Sequence, residues 1–393
     1  MAIQPMAKSV LILGGGFGGV EAGIFLRKQG LDVTLVSNRP YLFMYPTSIW
    51  VATGETAFED VCVDLADLAR IHGFRFLEGA VEAIDSAHRR VTIDGATHSA
   101  DYVIVAIGGA KMRPKGVERT RTPCGDPSGS LALHKALSAL IEKGSGRIAM
   151  GFGGNPNDPS AARGGPAFEL MFNVDTLLRR RGLRDKFTLT FFAPMAVPGQ
   201  RMGTRAVQTV EKLFAKQGIA SRYGKKIVEF DERGVVLEGG DRIDADLTVF
   251  IPAGDGHPVV KASDLPRNEA GFVRIDGGCE VVGREGVYAV GDAAALEGPE
   301  WRAKQGHIAE VMARTAASNI AHRESGRAVR DSYLEHVNII CLMDTGNGAA
   351  YVYRDDRKQN LIPLPVVGHW MKKGWAAYYK ATKRNRFPRL PGL

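Results

Sequence analysis

Gly14, Gly16 and Gly19 stand at G-x-G-x-x-G spacing within LILGGGFGGVEAG. Glycines at this spacing let a chain turn tightly and bring its backbone against a pyrophosphate. Gly14 allows the turn, Gly16 the approach of the phosphates, and Gly19 the packing of a helix on a strand. Val10 to Leu13 precede them as a continuous apolar run, which reads as a strand buried on both faces. A helix and a second strand follow, the latter ending at Ser37 and Asn38. The helix N-terminus offers free N–H groups and a partial positive charge. Strand, glycine turn, helix and strand together predict a dinucleotide site. Ser37 and Asn38 stand where a carboxylate usually holds the ribose, and each bonds a hydroxyl more weakly than a charged acceptor.

A second unit of the same layout spans Arg147 to Pro194. RIAMGF reads as its first strand, PAFELMFNVDTLLRRRG as its helix with Gly182 as the stop, and KFTLTFFAP as its second strand. Two requirements for NADH fail here. After Gly151 and Gly153 the third glycine position holds Pro156, and a long loop intervenes before Pro166 opens the helix. The second strand ends in Ala193 and Pro194, with no carboxylate for a ribose hydroxyl.

Two further strands end in glycine, DYVIVAIGG at Gly108 and GVYAVGDA at Gly291–Asp292. The second leads to a helix from about Gly306. In flavoproteins with two dinucleotide-binding domains, an aspartate at such a strand end binds the ribityl chain. The next helix there aims its N-terminus at the isoalloxazine, stabilising negative charge on the reduced ring. The first site is therefore expected to take FAD. The expected cofactor set is Gly14, Gly16, Gly19, Ser37, Asn38, Gly108, Gly291, Asp292 and Lys304. The other reading of Asp292 is a helix N-cap.

YLFMYPTSIWVATGE (Tyr41 to Glu55), GGPAFE (Gly164 to Glu169), DLTVFIPAGDG, VYAVGDAAAL, KQGHIAEVMARTAASNIA and CLMDTGNGAAYVY (Cys341 to Tyr353) follow in this order. The chain resembles, over nearly its whole length, the sulfide:quinone oxidoreductase branch of the FAD-dependent pyridine nucleotide-disulfide oxidoreductase superfamily. That superfamily also includes flavocytochrome c sulfide dehydrogenase and type II NADH dehydrogenases. The resemblance implies two-electron transfer from a small sulfur donor through FAD to a quinone, with sulfur held between two cysteines. It assigns Cys341 to one of them and Glu169 to a proton acceptor. The second cysteine position holds Arg163, a histidine position near Gly199 holds Gln200, and Cys124 matches a third, less central cysteine. One cysteine cannot reset itself by thiol exchange alone. Arg163 is expected to lower the pKa of Cys341, making it a lone redox thiolate, or to clamp an anionic substrate. For Cys341 the other reading is a buried core cysteine. The alternatives to the main function are a type II NADH:quinone oxidoreductase and a diverged flavoprotein with a binding or sensing role.

The positioning elements imply an α/β fold. Two interleaved Rossmann-like (FAD/NAD(P)-binding) domains are expected, plus a C-terminal segment with an amphipathic tail. The FAD domain takes 1–115 and 245–330, the second domain with its degenerate NAD site 116–244, and the C-terminal segment 331–393. The four cysteines, Cys62, Cys124, Cys279 and Cys341, form no C-x-x-C pair, so neither a disulfide scaffold nor a zinc site is expected. The net charge is +8, and seven Lys and Arg with no acid lie between 369 and 393. The basic character is a tail property rather than a nucleic-acid field. With Trp370, Trp375, Tyr378, Tyr379 and Phe387 among the cations, residues 364–393 read as a monotopic anchor on an anionic membrane surface, on the cytoplasmic side. The competing role is a helix packed on the core or in a homo-oligomer interface.

Overall fold

The structure, a computed structural model, describes residues 7–389. Residues 1–6 of the first expected domain and 390–393 of the expected anchor lie outside the described residues.

Two parallel sheets form the body. The first has strand order Val287–Ala289, Tyr102–Val105, Ser9–Leu13, Asp32–Ser37, Arg75–Glu78. All four pairings are parallel. The apolar runs that build it are buried on both faces, as a sheet covered on both sides requires. Helix Phe17–Lys28 packs on this sheet and against helix Gly306–Glu324. Small residues set that packing. A Cβ on Gly18 would stand 3.1 Å from Val290 and 3.3 Å from the Ala309 carbonyl.

The second sheet has the order Ala220–Tyr223, Phe187–Ala193, Gly146–Phe152, Leu247–Ile251, again parallel. Helix Gly165–Arg180 covers it through Phe168, which stacks on Phe191 with ring centroids 4.6 Å apart. The expected boundary at 244–245 is corrected here. Leu247–Ile251 is the edge strand of the second sheet, in register with Ile148 to Phe152. A fully buried strand reads alike for either sheet, so only pairing could assign it. The chain returns to the first lobe just afterwards, where Gly254–Asp255 pairs antiparallel with Ala110–Lys111.

The C-terminal segment is a three-stranded antiparallel sheet, Ile339–Asp344, Gly348–Arg354 and Gln359–Pro365, followed by helix Val367–Lys383. Gly346, at φ +81°, makes its first turn, and Asp344 Oδ1 accepts from the Gly346 N–H at 2.8 Å. Among the described residues no helix is long and apolar enough to cross a membrane.

The tail helix differs from a lipid-facing cationic helix. His369, Lys372, Tyr379 and Lys383 recur at helical spacing on its buried face. Lys372 pairs with Glu169, Lys373 with Glu55, Lys383 with Glu21 and Glu310, and Arg384 with Asp67. Beyond the helix, Arg389 also pairs with Glu21 and Glu310. Lys380 donates to the Asp60 carbonyl. The tail's charge is thus turned onto the body's own acids, and Tyr379, expected at headgroup depth, is buried with its hydroxyl on Glu310. Sequence shows a run of cations but not the acids that fold against them.

Candidate functional site

One cavity of about 2510 Å³ lies between the two sheets and the C-terminal segment. Its first wall is the glycine turn. Gly14 has φ +118°, and a Cβ there would meet the Ala106 carbonyl oxygen at 2.3 Å. A Cβ on Gly19 would stand 1.8 Å from the Gly14 carbonyl oxygen, so the helix can start only with glycine at that position. Gly16 differs: nothing lies within 4 Å of its Cβ position, which opens on the cavity. Helix Phe17–Lys28 has no side-chain cap, so its first N–H groups remain available to an anion. Helix Gly306–Glu324 is likewise uncapped at Gln305, and Gly306 lines the same cavity. Ser37, Asn38, Gly108, Gly291, Asp292 and Lys304 line it too. Two open helix N-termini and an unfilled glycine cradle fit a dinucleotide. Asp292 is not an N-cap of that helix: it pairs with Arg163.

The opposite wall brings the expected donor residues together. Helix Gly165–Arg180 carries Glu169, and strand Ile339–Asp344 carries Cys341 opposite Val352. The Cys341 thiol donates to Glu169 Oε1 at 3.7 Å, and Lys372 donates to Glu169 Oε2. Burial pushes the Glu169 carboxyl up to about 7, against the pull of Lys372. Burial, and then the Glu169 charge, push the Cys341 thiol up to about 12, offset in part by Lys372.

This corrects the expected thiolate. Cys341 is a thiol at neutral pH, and Lys372 rather than Arg163 is the cation of its cluster. The Arg163 guanidinium bonds the Asp292 carboxylate instead. Cys124 is buried in the same cavity, within electrostatic reach of Lys111, Arg163 and Glu169.

Behind this wall lies a network the sequence reading missed. Asp344 is 0% exposed and accepts from Trp50 Nε1 at 2.7 Å. His369 Nδ1 lies 3.0 Å from Asp344 Oδ2, and its Nε2 2.7 Å from Glu55 Oε1. Hydrogen bonds to both carboxylates raise His369 to about 9, so it is charged at neutral pH. The signal was present as the spacing of His369 and Lys372, one helical turn apart, in a helix otherwise read for its aromatics.

The loop between Phe152 and Gly165 is no phosphate turn. Buried Asn155 donates to the Gly254 carbonyl at 2.9 Å and accepts from the Asn157 N–H at 3.0 Å. Asp158 accepts from the Ser160 N–H and hydroxyl and from Asn268 Nδ2. Side chains hold it as a folded wall.

The family model of the pyridine nucleotide-disulphide oxidoreductases matches residues 8–319. The chain belongs to this family. It is an FAD-dependent oxidoreductase, and the glycine cradle is where its residues fit that cofactor. It is 28% identical to a sulfide-quinone reductase of Aquifex aeolicus, covering 97% of this chain and 92% of that protein. It is 21% identical to a type II NADH:quinone oxidoreductase of Staphylococcus aureus, covering 88% and 90%. Among solved structures, the sulfide:quinone oxidoreductase of Aquifex aeolicus superposes with a TM-score of 0.86 at 25% identity, covering 97% of this chain and 92% of the other. NDH2 of Plasmodium falciparum in complex with NADH gives 0.74 at 10% identity, covering 97% and 96%, and shows the shared fold alone. This pyridine nucleotide-disulphide oxidoreductase is thus more similar to the sulfide-quinone reductase than to the NADH dehydrogenases.

Proposed function

We propose that the protein oxidises a small sulfur donor at Cys341 and passes two electrons through FAD to a quinone. The Cys341–Glu169 contact carries this reading, because it stands on the wall of the cavity that also holds the glycine cradle. Bound FAD supplies the two-electron chemistry, held by Gly14, Gly16, Gly19, Ser37, Asn38, Gly108 and Gly291. The protein's own task on the donor side is to hold and move a proton. Glu169 accepts the Cys341 proton, and its pKa near 7 matches that role. Lys372 orients the carboxylate. Asp292 and Lys304 complete the flavin side, and Arg163 fixes Asp292 by its ion pair.

The quinone reaches such a cavity from a lipid surface. Val366, Val367, Trp370 and Met371 form an exposed apolar ridge at the start of the tail helix, Trp370 being 67% exposed. We read this ridge as the peripheral contact with the cytoplasmic face of a membrane. Because most of the tail's cations face the body's acids, attachment is expected to depend on apolar burial more than on anionic lipid. Flotation with neutral and anionic vesicles should then be similar, and loss of binding to neutral vesicles would overturn that mode.

The deciding experiment mixes the FAD-loaded protein anaerobically with sulfide, and separately with NADH, and follows bleaching of the oxidised flavin. Bleaching by the sulfur donor, followed by reoxidation with a quinone, is expected. Bleaching by NADH alone would make the protein a type II NADH dehydrogenase. Bleaching by no donor would leave a flavoprotein with a binding or sensing role.

A further inference from the structure

The network behind the donor wall has no part in the reaction so far. It sets two buried carboxylates, Glu169 and Asp344, against two buried cations of the tail helix, Lys372 and His369. The cations stand three residues apart, about one turn, on the buried face of that helix. Lys372 bonds one oxygen of Glu169, and the Cys341 thiol bonds the other. His369 bonds Asp344 through Nδ1 at 3.0 Å and Glu55 through Nε2 at 2.7 Å. A ring with a carboxylate on each nitrogen donates from both and is an imidazolium. Trp50 touches both pairs. Its Nε1 donates to Asp344 at 2.7 Å, and its ring lies 5.6 Å from the His369 ring and 5.9 Å from the Lys372 ammonium. Lys372 acts on both acids. Burial opposes each negative charge; Lys372 is the main counterweight at Glu169, and at Asp344 it follows the His369 and Gly346 hydrogen bonds. The remaining charged and titratable neighbours have other partners or sit at the edge. Lys373 pairs with Glu55, which is partly exposed. Cys124 lies within electrostatic reach of Glu169. His134 packs on Gly54 and faces the Ala52 carbonyl at 3.4 Å.

We propose that His369 is a positioning residue of the donor reaction: by occupying Asp344 it keeps Lys372 on Glu169. This rests on the reading of Glu169 as the acceptor of the Cys341 proton. Without the imidazolium, Asp344 is a buried carboxylate with no countercharge of its own, a costly state that the nearest cation relieves. That cation is Lys372, one turn along the same helix. Lys372 then divides between two acids. Glu169 loses part of its partner and faces an unbalanced negative charge, and both changes favour its protonated form. A protonated Glu169 cannot take the Cys341 proton. His369 thus acts on the reaction through Asp344 and Lys372 alone. Glu55 has a part in the same arrangement, because its carboxylate, with that of Asp344, holds both protons on the ring.

The test titrates Glu169 itself. In the FAD-loaded protein, the protonated-carboxyl infrared band that disappears in Glu169→Gln reports its charge without any donor. The wild-type midpoint should lie at about 7. In His369→Gln it should rise by about one unit. His369→Lys restores the cation and should bring the midpoint back. His369→Gln combined with Asp344→Asn removes the competing acid and should do the same. The inflection in flavin reduction by sulfide should follow the same order. A mere loss of packing would not be repaired by His369→Lys or by a second substitution. In the wild-type protein, ring-nitrogen NMR shifts of His369 should report an imidazolium at neutral pH, a reading that needs no variant to fold. A neutral ring, or a Glu169 midpoint unmoved in His369→Gln, would overturn the role of His369. So would a midpoint that rises in His369→Gln and stays high in both His369→Lys and the double variant. Infrared midpoints that move as expected, with a sulfide pH profile that is the same in every variant, would overturn Glu169 as the proton acceptor and leave His369 holding Lys372 in place.

Discussion

The protein contains the same strand–turn–helix–strand unit twice, and the two copies differ in one loop. In the first, only Gly14 to Gly16 separate strand Ser9–Leu13 from helix Phe17–Lys28. In the second, residues 153–164 separate strand Gly146–Phe152 from helix Gly165–Arg180. The short turn leaves backbone N–H groups bare and room at Gly16, which suits phosphate. The long loop fills that room with Asn155, Asp158 and Ser160, bonded to the protein itself. Both helices therefore aim an uncapped N-terminus at one cavity, but only the first is reached through a three-residue glycine turn. The other carries Glu169 to the cavity wall, with Arg163 in the loop just before it. Topology sets where a unit points, and the loop sets what it can hold.

The largest effect is expected from closing the first turn. In Gly19→Val the new Cβ would overlap the Gly14 carbonyl at 1.8 Å, with no flexible side chain to yield. Loss of bound flavin and destabilisation on the order of 4 kcal/mol are expected, read by absorbance and thermal melting. Stable, flavin-loaded Gly19→Val would mean that the turn has another conformation. Next comes the second unit's chemistry. Cys341→Ser should lower flavin reduction by the sulfur donor on the order of 10³-fold while FAD stays bound. Cys124→Ser should cost far less. If the two serine variants behaved alike, the donor wall would have been misassigned.

Glu169 gives a smaller effect with a sign. Its carboxyl is raised to about 7, so it is neutral below that pH and cannot accept the thiol proton. Donor-side reduction should therefore rise with pH through about 7 and level off above it. Glu169→Gln should lose that inflection and run on the order of 10²-fold slower on the plateau. An unchanged pH profile in the variant would remove Glu169 from proton transfer.

Much of this comparison was legible in the sequence, because glycines at a fixed spacing and apolar runs report backbone geometry directly. Gly14, Gly16 and Gly19 stand where the motif requires. Pro156 and the distance to Pro166 rightly marked the second loop as different. What the sequence could not carry was partner choice. Arg163 was expected beside Cys341 and bonds Asp292, because a long side chain can reach several groups and only packing selects one. The cations of the tail were expected at lipid for the same reason. Their acids, Glu21, Glu55, Asp67, Glu169 and Glu310, are scattered along the chain. Leu247–Ile251 changed sheets because a strand buried on both faces has no preferred side.

The finest distinction between the two units is a pair of alanines. Gly16 and Gly165 both have nothing within 4 Å of their Cβ positions, and neither has a positive φ. To the protein alone, Gly16→Ala and Gly165→Ala are alike, each expected to shift unfolding by less than about 1 kcal/mol. To a bound dinucleotide they are not. A methyl group at Gly16 stands where the pyrophosphate must approach, and should weaken FAD binding about tenfold, near 1.4 kcal/mol. The same methyl at Gly165 lies at the start of the helix that carries Glu169, beyond a loop that bonds itself, and FAD binding should not change. Flavin release measured by fluorescence at a series of protein dilutions reads both. If Gly165→Ala weakened FAD as much as Gly16→Ala, the second unit would also touch the cofactor. The loop between the two helices would then be a flavin clamp and not a wall of the donor chamber.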